Sequence, residues 1–186
     1  MPTSTRRASL VIAALSIAGL SMLAAGTRGE RPPLGPKAVE AMLDDWHDAA
    51  SRADGVRYFG HMTGDAVFLG TDATERWTLE QFKAFAKPYF DQGRGWTYLP
   101  RERHVMLSRD GTVAWFDEVL DNAKFGECRG SGVALRDGEE WKIAHYNLTV
   151  PIPNDLLAGF AERIREFTKK QPVVPAKPAE KPAPKK

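Results

Sequence analysis

From Lys37 to Ala53 the apolar residues Val39, Met42, Leu43, Trp46, Ala49 and Ala50 recur at steps of three and four, the spacing of a helix with one buried face. A short second helix is predicted through Val56, Tyr58, Phe59 and Met62, followed by a strand from Ala66 to Gly70. Thr78 and Gln81 have capping-box spacing, in which each side chain satisfies the other's backbone N–H. A third helix is therefore expected from Leu79 to Phe90, with Phe82, Phe85, Ala86 and Tyr89 on one face, a kink at Pro88 and a stop at Gly93 and Gly95. From Trp96 onward the period changes to two. Trp96 to Ser108, Thr112 to Asn122, Glu127 to Arg136 and Trp141 to Ile152 read as strands, with hairpin turns at Asp110-Gly111 and Asp137-Gly138. A last helix from Asn154 carries Leu156, Leu157, Phe160, Ile164 and Phe167 along one side. Helices first and a meander of long strands afterwards is an α+β order.

The strand pair between Gly130 and Pro151 departs from simple amphipathicity. Arg129, Ser131, Val133 and Leu135 alternate with Cys128, Gly130, Gly132 and Ala134, while Trp141, Ile143, His145 and Asn147 alternate with Ala144, Tyr146 and Leu148. Neither phase is plainly polar. A sheet with one wet face shows one polar phase, so this sheet is expected to be covered on both sides.

The ends of the chain differ from its middle. Arg6-Arg7, the apolar run Leu10 to Ala25 and the small residues Ala24-Ala25-Gly26 follow the three-part order of a secretory signal peptide. Cleavage is expected after Gly26 and the product is expected in the periplasm, the cell envelope or the medium; Thr5-Arg6-Arg7 also admits twin-arginine export. Left uncleaved, this segment would be the chain's one membrane attachment. The predicted layout is signal peptide 1–26, linker 27–36, domain 37–153, C-terminal helix 154–169 and a Lys/Pro/Ala-rich tail 170–186. That tail cannot bury enough apolar surface to offset ordering and is expected to be disordered.

The formal charge of +2 hides an acidic centre: residues 36–168 hold 16 Lys and Arg against 22 Asp and Glu, a net of −6. No basic stripe with aromatic residues offers itself to nucleic acid. Cys128 is the single cysteine, which excludes an intrachain disulfide, and its place in a strand suggests a small buried residue. His47, His61, His104 and His145 lack metal-ligand spacing, and the phosphate-loop, dinucleotide and nucleophile-elbow signatures are missing, so no metal or cofactor is expected.

GTDATERW at 70–77 and RDGEEWKIAH at 136–145, set within this order of elements, resemble the SnoaL-like, or nuclear transport factor 2-like, superfamily over residues 37–153. The resemblance implies a cone, a curved antiparallel sheet wrapped around N-terminal helices, with a pocket inside and a second subunit commonly covering the outer sheet face. It implies a homodimer and a possible small-molecule ligand. It does not imply one activity, because relatives include isomerases, dehydratases, cyclases, an association domain of a kinase and noncatalytic transport factors. Ketosteroid isomerase-like sites pair a Tyr of the first helix with acids on the sheet; this first helix has Trp46 and His47 but no Tyr, so no catalytic residue carries over.

Three sets of residues remain as candidates. A turn at Asp110-Gly111 places His104 opposite Asp117 and Arg103 opposite Glu118, two ionic pairs on opposite faces. His104, Asp117 and Glu118 are thus acid-base candidates, to be weighed against plain structural pairs. By resemblance to the kinase association domain, Ala144, Tyr146 and Leu148 should point inward opposite Arg129, Ser131 and Val133. Arg129, Ser131 and Tyr146 are then the polar groups of a pocket lined by Trp77, Tyr89, Trp96 and Trp115, and Gly132, Trp141, Ile143 and His145 face the partner. Asp72 and Glu75 lie where such a pocket would open. The function expected is binding of a small, partly apolar molecule; the alternatives are an acid-base isomerase, dehydratase or cyclase, or a dimeric module tethered to the envelope.

Overall fold

A computed structural model describes residues 35–170. The predicted signal peptide, most of the linker and all but the first residue of the predicted tail lie outside the described residues. The elements run α1 (Pro36–Ser51), α2 (Gly55–Gly60), β1 (Met62–Leu69), β2 (Arg76–Thr78), α3 (Leu79–Phe90), β3 (Leu99–Leu107), β4 (Val113–Asn122), β5 (Gly126–Asp137), β6 (Glu140–Thr149) and α4 (Asn154–Lys169). The six strands form one curved, unclosed sheet in the order β2-β1-β6-β5-β4-β3. All neighbours are antiparallel except β1 and β6, which run parallel. Among the described residues no helix is long and apolar enough to cross a membrane.

The helical spacing of α1 translates directly into burial. All six of its periodic apolar residues, Val39 through Ala50, lie in the core. α3 opens with the expected capping box, Thr78 Oγ1 accepting from the Gln81 N–H and Gln81 Oε1 accepting from the Thr78 N–H, and it runs through Pro88 to Phe90. Several boundaries differ from the sequence reading: the last hairpin turns at Gly138-Glu139 rather than Asp137-Gly138, its second strand ends at Thr149 rather than Ile152, and two larger shifts lie earlier in the chain. Met62 opens β1 rather than closing α2, and the strand predicted from Trp96 begins only at Leu99. The physical reason at the start of β3 is close packing: Gly95 lies against the Ala50 carbonyl so tightly that a Cβ would overlap it, and the Trp96 N–H donates to that same carbonyl. This pins Trp96 against α1 and keeps it out of the ladder. β2, three residues paired with β1, had no periodic signature to announce it.

The largest departure is a bulge in β6. Near the hairpin, Arg136 pairs with Trp141 and Ala134 with Ile143, but Val133 then pairs with His145, so Ala144 is the extra residue. A one-residue insertion sends every later side chain to the other face. Trp141 and Ile143 before the bulge and Tyr146 and Leu148 after it therefore all point inward, and all four are buried. Two apolar phases were present because one strand changes phase halfway. The expectation that Trp141, Ile143 and Gly132 face a partner is corrected: all three face the core.

Candidate functional site

β1, β2, β6, α3 and the segment before β3 line an open cavity of about 190 Å³ on the inner side of the sheet. Its wall is aromatic. Phe68 stacks on Phe82 at 4.1 Å between centroids, Trp77 stacks on Phe85 at 4.5 Å, and Trp96 and Tyr98 close the far side. Glu75 and Thr71, in the loop between β1 and β2, supply the polar part of the lining. Gly70 makes room for this arrangement, since a Cβ there would overlap the Glu75 carboxylate. Burial, the nearby Cys128 and the Glu75 carboxylate raise the Tyr98 phenol to about 12. Tyr98 is therefore a neutral hydrogen-bonding group at physiological pH.

A carboxylate network lies beneath. Glu118, fully buried on β4, accepts from His47 Nε2 at 2.7 Å and from the Tyr146 hydroxyl at 2.8 Å on Oε1, and from Arg103 Nε at 2.8 Å on Oε2. Arg103 is anchored in turn by Asp44 at 2.8 Å and the Glu40 carbonyl at 3.1 Å. Burial alone would raise the Glu118 pKa, yet the hydrogen bond and charge of His47, then Arg103 and Tyr146, outweigh it and leave the net shift downward. Tyr146 shifts the opposite way, well above 10, because burial and the adjacent carboxylate both oppose a second anion. Glu118 is thus the ion and Tyr146 the neutral donor.

Local sequence makes this geometry possible. A Cβ at Gly130 would overlap the Tyr146 hydroxyl, and one at Gly132 would overlap the Phe116 ring. On the inner phase of β5, Gly130 therefore admits the Tyr146 side chain and Gly132 the Phe116 ring. His47 and Tyr146 also line a void of about 20 Å³ with Trp46 and Tyr58, roughly the size of one water. This void and the aromatic cavity share Phe68, Trp96, Tyr98 and Leu148 as walls. The Trp46 Nε1 is buried without a partner in the same wall.

A larger depression of about 400 Å³ lies between α1, α2 and β6. Its charges answer one another: Arg57 donates to Asp45 at 2.9 Å, His61 Nε2 lies 2.6 Å from Asp45, and Lys142 donates to the Gly60 carbonyl at 3.0 Å. The aromatic cavity, with fewer internal partners, is the better receptor. Among the described residues no group of three or more His, Cys, Asp or Glu side chains is arranged to hold a metal ion.

Comparison with known proteins bears on this architecture. The model of the SnoaL-like domain family matches residues 39–153. The chain belongs to the SnoaL-like domain family. Solved structures agree on the fold: a nuclear transport factor 2-like protein from Pseudomonas putida is similar at 12% identity and a TM-score of 0.54, covering 64% of this chain and 89% of that one. A candidate dehydratase of the same fold family from Streptomyces avermitilis gives 11%, 0.53, 63% and 96% in the same order. A cystatin-like domain from Nostoc punctiforme gives 19%, 0.52, 72% and 91%. Such identities establish the fold alone. No curated protein sequence matches.

Within this SnoaL-like domain the sequence-derived candidates fall on both sides of the sheet. Trp77 lines the aromatic cavity and Tyr146 the void beneath it. Arg129 and Ser131 do not reach either. Beyond the bulge they pair with Thr149 and Asn147 on the outer face, and Arg129 is exposed. Trp115 is also outside, paired with Val133 and 44% exposed. Tyr89 lies at 41% exposure on α3, against Phe85 and Arg94, and is not part of the cavity wall. His104 and Asp117 meet at 3.2 Å on the outer face, both about half exposed. Asp72 is exposed, hydrogen-bonded to Thr74 within its own loop. Cys128 is fully buried, and burial raises its thiol pKa. Arg103 was read as the partner of Glu118, but His47 was not among the sequence candidates. The available signal for His47 was its position: Leu43, Trp46, His47 and Ala50 share one arc of α1, and a polar residue on a buried arc needs a buried partner.

Proposed function

We propose that this SnoaL-like domain binds a small, planar, partly apolar molecule of about one ring in its aromatic cavity. The supporting observation is the cavity of about 190 Å³ walled by Phe68, Trp77, Phe82, Phe85 and Trp96, with Glu75 and Tyr98 as polar groups. Size narrows the ligand. A dry cavity of about 150 Å³ takes a benzene ring, so this one has room for a single ring with a small substituent. Charge narrows it further: a Glu75 carboxylate favours a hydroxyl or ammonium substituent over a second carboxylate. Thermal-shift and calorimetric titration should therefore rank benzylamine and phenol above benzoate, and Trp77→Ala should weaken all three. Equal or absent stabilisation across that panel would count against the reading.

The neighbourhood of His47 and Glu118 supports a second reading, an acid-base enzyme of the isomerase, dehydratase or cyclase kind. A His at 2.7 Å from a buried carboxylate is held in one orientation, as general acid-base chemistry requires. Loss of turnover in His47→Gln with cavity binding unchanged would distinguish it from binding alone. Both readings take the domain to be exported, on the pattern of Arg6-Arg7, Leu10 to Ala25 and Gly26. N-terminal sequencing of the mature chain should begin at Thr27.

A further inference from the structure

Two apolar surfaces of the described chain have no cover. One is α4, where Leu156, Leu157, Phe160, Ile164 and Phe167 are 43% to 66% exposed and no residue of the helix is buried. At helical spacing they form a single stripe about 100° wide, the width of a core-facing helix rather than a solvated one. The other is the outer sheet face. Pairing places Met106, Trp115, Val133, His145 and Val67 in one row across five strands. Trp115 is 44% exposed, and Met106 and Leu135 on the same face are each 37% exposed.

We propose that α4 of one chain packs across the outer sheet face of a second copy, each copy giving its helix and receiving the other's. Lengths agree: from Leu156 to Phe167 the stripe is about 16 Å long at 1.5 Å per residue, and five strands span about 19 Å. The connection from β6 to α4 is extended. Val150-Pro151-Ile152-Pro153 alternates two prolines with two residues that proline holds extended, and Pro153 itself sits at φ −54 and ψ 137. A sheet-to-sheet dimer alone would leave the α4 stripe in water. Exchange covers both surfaces. With about 100 Å² exposed on each of five side chains, two helices and the two sheet areas they cover come to about 2,000 Å², the size of a stable interface. The helix holds three acidic residues, Asp155, Glu162 and Glu166, and three basic ones, Arg163, Arg165 and Lys169. This neutral balance fits a protein surface of mixed charge better than an anionic membrane.

The inference does not depend on what the cavity binds. Its test uses the mature full-length chain. Wild-type protein should sediment as a dimer, and Phe160→Glu/Ile164→Glu should shift dissociation to at least 100-fold higher concentration, with the circular dichroism spectrum unchanged. Mixing a Phe160→Cys chain with a Trp115→Cys chain under oxidation should give a disulfide between the two. A bond forming only within a chain that carries both substitutions would place α4 on its own sheet and overturn the proposal. So would a monomeric wild-type chain that cosediments with phosphatidylglycerol vesicles, which would make the stripe a membrane-surface helix.

Discussion

Asp117 and Glu118 are consecutive residues of β4, and each meets a basic residue of β3 directly across the ladder, His104 in one case and Arg103 in the other. Their chemistry is nearly the same and their surroundings are opposite. Asp117 and His104 lie 3.2 Å apart on the outer face, about half exposed. Glu118 is sealed inside, with three donors on its two oxygens. An exposed pair of this kind contributes about 0 to 1 kcal/mol. A buried carboxylate that loses its partners, or donors that lose their carboxylate, costs about 3 to 5 kcal/mol. Strand parity, not residue type, decides which acid organises the site.

Removing the inner acid should give the largest effect. Glu118→Ala strands His47, Tyr146 and Arg103 in the core, and a loss of about 3 to 5 kcal/mol is expected in urea unfolding. Asp117→Ala, one residue away, should stay within about 0.5 kcal/mol. A loss above 2 kcal/mol at Asp117 would erase the contrast between the two faces.

The glycines of β5 test the same contrast through volume. Gly130→Ala and Gly132→Ala press a methyl group into the Tyr146 hydroxyl and the Phe116 ring, and overpacking of that kind costs about 1 to 3 kcal/mol. Ser131→Ala between them points outward and should be nearly neutral. If all three behaved alike, the phase of β5 assigned by its pairing with Tyr146 would be wrong.

That phase was the hardest feature to read from the sequence. The helical face of α1 was legible because six apolar residues repeat at one period, and the pairing of Arg103 with Glu118 and His104 with Asp117 followed from the turn near Asp110-Gly111. The bulge at Ala144 was not. It inserts one residue between two apolar runs, and a strand whose two phases are both apolar gives no polar residue to mark where the phase flips. The resemblance to the kinase association domain turned Ala144, Tyr146 and Leu148 inward with Arg129 and Ser131 opposite them, which holds only for a strand pair without a bulge. The chain instead uses Gly130, between them, to seat Tyr146. A buried acid was legible as an ion pair on one of two faces, but its His47 ligand comes from 71 residues away, a distance no local pattern spans.

Acid should separate the two faces as well. Because the folded-state pKa of Glu118 lies below its usual 4.5, the unfolded chain binds this proton more readily than the folded one. Its contribution is fully present above about pH 4.5 and is lost as pH falls through the folded value. Unfolding free energy in wild-type protein should therefore drop below pH 4.5 more steeply than in Glu118→Gln. Parallel curves for the two would remove Glu118 as the source.

The smallest effect belongs to the outer pair, and its size depends on whether that face is wet. A double-mutant cycle on His104→Ala and Asp117→Ala should give a coupling of about 0.2 to 1 kcal/mol in the monomeric Phe160→Glu/Ile164→Glu background, falling as salt rises. In the proposed dimer the same two side chains lie one row from Trp115 and Met106, within the surface that α4 of the second copy would cover. Partial exclusion of water there strengthens the coupling and weakens its salt dependence. A coupling that is equally small and equally salt-sensitive in both backgrounds would mean that the outer face stays solvated, and that the difference between Asp117 and Glu118 belongs to the isolated chain and the assembly alike.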